Sequence, residues 1–167
     1  GQGYWLVARD GGVFAFGDAP FLGSLGAARL NAPIVGAAGT PGGRGYWLFA
    51  ADGGVFAFGD ARFLGSASAA KLASPIVGAT PTASGRGYLL VARDGGVFAY
   101  GDAVFAGSTG GRRLAAPVAA IAGAPGSPGY WLLGADGGVY AFGAPFVGSL
   151  GGTRLNAPMV ALASPPR

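Results

Sequence analysis

Short apolar runs alternate with turns built from Gly, Pro and Asp along the whole chain, and the same runs return every 42 residues. Gly-Tyr opens each unit at Gly3, Gly45, Gly87 and Gly129, and Asp-Gly-Gly follows at Asp10, Asp52, Asp94 and Asp136. In the first unit the runs cover residues 4–9, 13–17, 21–24 and 34–38, lengths that suit strands and are too short for ordinary helices. The first two flank Asp10-Gly11-Gly12, whose Asp-Gly pair favours a tight antiparallel hairpin. Gly12, Gly54, Gly96 and Gly138 are the glycines expected at positive φ there. Gly17-Asp18-Ala19-Pro20 forms a second turn, and Pro33 with Thr40-Pro41 brackets the last run.

The alternation does not separate a wet face from a dry one. Tyr4, Leu6 and Ala8 point one way and Trp5 and Val7 the other, yet both sets are apolar, as are Phe14/Phe16 and Val13/Ala15. Both faces of each sheet are therefore covered, which a radial stack of blades accomplishes. The last run of each unit is rich in Gly and Ala while the others carry Phe, Tyr and Trp, as a wedge narrow at the axis and wide at the rim requires. The pattern predicts an all-β fold: a four-bladed β-propeller of four strands per blade, with residues 1–167 as a single domain. The chain starts at the Gly-Tyr-Trp run and stops just after the small-residue run of residues 157–163. The C-terminal strand is accordingly expected to pair with the N-terminal blade and close the ring. A two-chain, eight-bladed ring is the rival. The chain opens on Gly1 with neither Met nor leader, as a processed or excised piece would.

The copies differ in two informative places. Leu89 stands where the other units have Trp5, Trp47 and Trp131, and the fourth unit reads Phe142-Gly143-Ala144-Pro145, one residue short. The missing residue is the aspartate that the first three units hold as Asp18, Asp60 and Asp102.

Composition sharpens the class. Gly and Pro together exceed a quarter of the residues, but 51% hydrophobic and 12% aromatic content marks turn-rich ordered structure rather than disorder. The longest uncharged stretch, residues 114–135, holds three prolines and four glycines in register with the repeat, so it reads as strands and turns and no membrane insertion is expected. A chain of this size buries about two-thirds of its unfolded surface. Without cysteine there is neither a disulfide framework nor thiol chemistry.

The missing residue types also bear on catalysis. With no His, Cys or Glu, the usual general bases, thiolate nucleophiles and zinc-ligand sets cannot be assembled, and all seven acids are turn aspartates. The chain reads as no enzyme, with no cofactor and no metal. The net charge of +4 rests on few charges, and Arg112-Arg113 is the only basic doublet, so no phosphate-tracking stripe for nucleic acid exists.

Two rims offer candidate sites. On one, the hairpin aspartates Asp10, Asp52, Asp94 and Asp136 share the mouth with Arg29, Lys71, Arg113 and Arg154. These charges read either as solvated turn residues, with ion pairs worth about 0–1 kcal/mol each, or as four copies of a polar ligand site. On the other rim, Trp5, Trp47 and Trp131 accompany Asp18, Asp60 and Asp102, a combination suited to stacking and hydrogen bonding a sugar. Core packing is the stronger reading of the same tryptophans, since aromatics at fixed repeat positions are the expected filling between wide blade edges.

The run Gly-Tyr-Trp-Leu-Val-Ala-x-Asp-Gly-Gly-Val-Phe-Ala-Phe-Gly-Asp-Ala at residues 3–19 resembles the repeat of secreted and cell-wall-associated proteins of actinobacteria, where such arrays sit beside hydrolase domains. The resemblance covers the whole chain and implies an extracellular or cell-wall-associated accessory module. The expected function is a multivalent binding module for glycan or cell-wall polymer; the alternative is an assembly scaffold that contacts protein partners or forms homo-oligomers.

Overall fold

A computed structural model describes residues 1–164, and every regular element in them is a β-strand. The strands are β1 (Tyr4–Val7) and β2 (Val13–Phe16), then β3 (Ile34–Gly39), β4 (Gly45–Ala50) and β5 (Val55–Gly59). They continue with β6 (Ile76–Pro81), β7 (Gly87–Ala92), β8 (Val97–Gly101), β9 (Val118–Gly123), β10 (Tyr130–Gly134) and β11 (Val139–Phe142). All pairings are antiparallel. Three sheets hold three strands each, in the orders β3-β4-β5, β6-β7-β8 and β9-β10-β11, while β1 and β2 form a two-stranded sheet. Among the described residues no helix is long and apolar enough to cross a membrane.

Each three-stranded sheet takes its inner strand from the preceding copy. Ala37 of β3 lies opposite Leu48 of β4, as Ala79 of β6 lies opposite Leu90 of β7, so the small-residue run of one unit belongs to the sheet of the next. These inner strands lie side by side, β3 next to β6 and β6 next to β9. The apolar cores lie between consecutive sheets. Trp5 and Val7 meet Tyr46 and Leu48 at the first joint, Trp47 and Phe49 meet Tyr88 and Leu90 at the second, and Leu89 and Val91 meet Tyr130 and Leu132 at the third. Strands β4 and β7 are buried along their whole length, which explains why neither alternating set of their residues is polar.

The structure departs from the sequence expectation in three places. The expected hairpin glycines are off by one: Gly11, Gly53, Gly95 and Gly137 hold the positive φ, at 83°, 85°, 81° and 82°. The Gly11 N–H bonds the Ala8 carbonyl and the Ala8 N–H bonds the Gly12 carbonyl, so the loop is the three residues Arg9, Asp10 and Gly11, a type I turn ending in a left-handed glycine. The expected third strand, residues 21–24 and their equivalents, is irregular. Gly23 sits at φ 136°, and the backbone of Leu22 and Gly23 bonds a tyrosine hydroxyl of the following sheet rather than a strand. Sheets therefore have three strands, not four. Finally, the expected pairing of the C-terminal strand with the first blade does not form among the described residues. Met159 donates to the Ala135 carbonyl as Ile34, Ile76 and Val118 donate to Arg9, Ala51 and Arg93, so the segment begins in the inner-strand position but meets no following sheet. The result is a propeller-like stack that is not closed.

Candidate functional site

The two charge sets of the first rim are not joined. Asp10 uses a carboxylate oxygen to accept from the Gly12 N–H at 2.9 Å, and Asp52, Asp94 and Asp136 repeat this bond with Gly54, Gly96 and Gly138. Each carboxylate thus ties down its own hairpin. Arg29, Lys71, Arg113 and Arg154 are exposed on the connections, and none forms an ion pair with these aspartates.

Two tryptophans of the second rim, Trp5 and Trp47, belong to the packing between sheets, while Trp131 is half-buried at the last sheet. Trp47 is wholly buried, and its ring lies 5.9 Å from that of Tyr88; Trp5 is half-buried, 5.2 Å from Tyr46. The Trp47 indole N–H donates to the Arg62 carbonyl, that of Trp5 to Pro20 and that of Trp131 to Pro145, each at 2.8 Å. The Trp47 ring, fixed by its N–H and wholly buried, offers no stacking platform.

The aspartates of that rim do gather polar groups. Asp18 accepts the Gln2 N–H on both oxygens, at 2.8 and 2.9 Å, and Asp60 accepts the Thr40 hydroxyl at 2.8 Å. Asp102 carries the fullest set: the Thr82 hydroxyl at 2.9 Å, the Ser84 hydroxyl at 2.6 Å and the Arg86 guanidinium at 3.6 Å. Hydrogen bonds from Ser84 and then Thr82, with the nearby Arg86 charge, hold the Asp102 carboxyl below its ordinary value. Thr40 and Thr82 each lie 20 residues before the aspartate they bond, and their recurrence beside Pro41 and after Pro81 was the available sequence signal.

Asp102 stands on the wall of a cavity of about 760 Å³ between residues 80–84, the turn at 123–129 and the C-terminal residues 162–164. Leu89 and Ile121 contribute apolar floor, while Thr82, Ser84, Ser127 and Ser164 contribute hydroxyls. In the fourth unit, which lacks the aspartate, Ser127 donates to the Gly143 carbonyl at 2.7 Å. Among the described residues no three carboxylates come together as a metal site needs.

No protein-family model matches the chain, and a search of curated proteins returned no match.

Proposed function

We propose that the chain is a non-catalytic extracellular binding module for glycan or cell-wall polymer, with its blades arranged in propeller fashion and its principal site in the groove beside Asp102. The observation that carries this reading is the union of a charged acceptor, several hydroxyls and an apolar floor in one open cleft of about 760 Å³. A sugar presents hydroxyls along its edges and C–H groups on its faces, and this lining answers both. The Thr40–Asp60 pair repeats the acceptor one unit earlier, so a repetitive polymer meets a second contact and gains avidity. The absence of His, Cys and Glu supports a role without catalysis, and the positive net charge favours anionic wall polymers.

Titrating soluble cell-wall polysaccharide into three proteins tests the reading. The parent should bind saturably, and Asp102→Asn should weaken binding roughly tenfold, the loss of a charge-assisted hydrogen bond. A quadruple variant replacing Arg29, Lys71, Arg113 and Arg154 with Gln should lose only the salt-screened attraction of the net charge and keep most of the parent's binding at physiological salt. The reverse pattern would move the site to the hairpin rim. No binding by the parent would remove the glycan reading.

A further inference from the structure

Three joints inside the chain are built alike, and each is a plug in a socket. At the first, the Tyr46 hydroxyl donates to the Gly23 carbonyl at 2.5 Å and accepts from the Leu22 N–H at 3.3 Å. Tyr88 makes the same pair with Gly65 and Leu64, and Tyr130 with Gly107 and Ala106. Beside each tyrosine a second ring, Phe58, Tyr100 or Phe142, covers the socket glycine so closely that a Cβ there would collide with it. The three socket glycines share one backbone shape, with φ of 136°, 127° and 135°.

A fourth plug and a fourth socket exist, and both are empty. The plug is Tyr4 with Phe16, which occupy the positions of Tyr46 and Phe58 but are 58% and 46% exposed. The socket is Val147-Gly148, where Gly148 has φ 135° and no heavy atom lies within 4 Å of a Cβ placed on it. Val147, in the position of Leu22, is 83% exposed. Next to it lies a hollow of about 330 Å³ lined by Val139, Gly148, Leu150 and Met159. These are the counterparts of Val13, Gly23, Leu25 and Ile34, the first, third and fourth of which pack with Tyr46 and Leu48 at the first joint while the glycine receives Phe58. The backbone is unmatched in the same way: β1 lacks an inner strand, and residues 159–164 leave Met159 already anchored in the inner-strand position with no sheet to join.

We infer that the first sheet of one copy docks into the last unit of a second copy, head to tail, with Tyr4 and Phe16 on Val147-Gly148 and residues 159–164 added to β1 as its third strand. Among the described residues the plug and the socket of one chain do not pair, and each matches the other as Tyr46 matches Leu22-Gly23, so a second copy of this 167-residue chain is the occupant to which the inference commits. The register follows from β3 on β4: Leu162 would face Leu6, as Ala37 faces Leu48. Such a contact uses different surfaces on the two copies, so it builds a closed ring where the rotation closes and a filament where it does not. It also covers an exposed sheet edge that otherwise invites indiscriminate pairing. The interface leaves Asp102, Thr82 and Ser84 outside it, although residues 162–164 also line their groove.

Sedimentation of the 167-residue chain over a range of concentrations tests the inference. The parent should exceed the mass of one chain and dissociate on dilution. A head variant, Tyr4→Ser with Phe16→Ser, and a tail variant, Val147→Asp with Leu150→Asp, should each be monomeric and retain the parent's circular dichroism. Mixed, they should form a one-to-one pair and nothing larger, because each keeps one working end. Tyr4→Phe, which keeps the ring and removes only the hydroxyl, should weaken association roughly tenfold and guards against misfolding of the bolder variants. A parent that stays monomeric at every concentration, as closure within one chain would make it, overturns the inference. So does a mixture that fails to pair.

Discussion

At the residue scale, a single backbone angle separates two neighbouring glycines that look alike in the sequence. Gly53 lies at φ 85°, and a Cβ on it would stand 2.6 Å from that of Ala67, whereas Gly54 has no positive φ. Gly53→Val should therefore cost about 1–3 kcal/mol, and Gly53→Ala should lower the melting temperature more than Gly54→Ala; equal shifts would contradict the three-residue hairpin. The Asp-Gly-Gly repeat announced a turn, but the choice between its glycines depends on whether the loop has two residues or three, and both loops are compatible with that tripeptide. Asp102 carries a second residue-scale prediction. Its folded pKa lies below the unfolded one, so its stabilising contribution is present above the ordinary aspartate range near 4 and is lost as pH falls through the lower folded value. Thr82→Val with Ser84→Ala should return the carboxyl toward its ordinary titration, read directly by NMR. An unmoved midpoint would show that the hydroxyls do not hold it.

At the element scale, the strands that pair locally were legible and the segment that pairs across units was not. Hairpins such as β4-β5 join residues a few positions apart, and the Gly- and Ala-rich runs announced inner strands through their size. Residues 21–24 carry the same apolar pattern as a strand, yet a hydroxyl from Tyr46, some 24 residues away, takes their backbone groups. Thr82 and Ser84 escaped notice for a similar reason, since their meeting with Asp102 is made by folding and leaves only a faint trace in spacing. The tyrosine joint makes its own prediction. Tyr88 is fully buried, and Tyr88→Phe leaves the Gly65 carbonyl and the Leu64 N–H without that partner, so it should cost about 1–3 kcal/mol in a denaturant titration. Burial raises the pKa of Tyr46, Tyr88 and Tyr130. The stability this represents is complete below the unfolded tyrosine pKa of about 10 and is lost as pH climbs from there through the folded values. The parent should thus unfold on alkaline titration, and Tyr88→Phe should show a shallower decline.

At the scale of the whole molecule, a stack of like units distributes stability along its length, because each unit is held by its neighbours and the end units have fewer. Strands β4 and β7 are buried throughout, while β1 alternates exposed and half-buried residues and lacks an inner partner. Period and hairpins in the sequence were sufficient to find the units, but identical copies cannot reveal which joints are filled; that depends on how the ends are placed in space. Amide hydrogen exchange reads this gradient directly, since local opening is easiest where buried contacts are fewest. In dilute solution β4 and β7 should exchange most slowly and β1 fastest. At high concentration the protection of β1 and of residues 159–164 should rise together, with the centre unchanged, because the same contact covers both. Protection of β1 that is already high in dilute solution would mean the first sheet finds its third strand within its own chain. Protection that rises at β1 without rising at residues 159–164 would mean that something other than the tail of a second copy covers that edge.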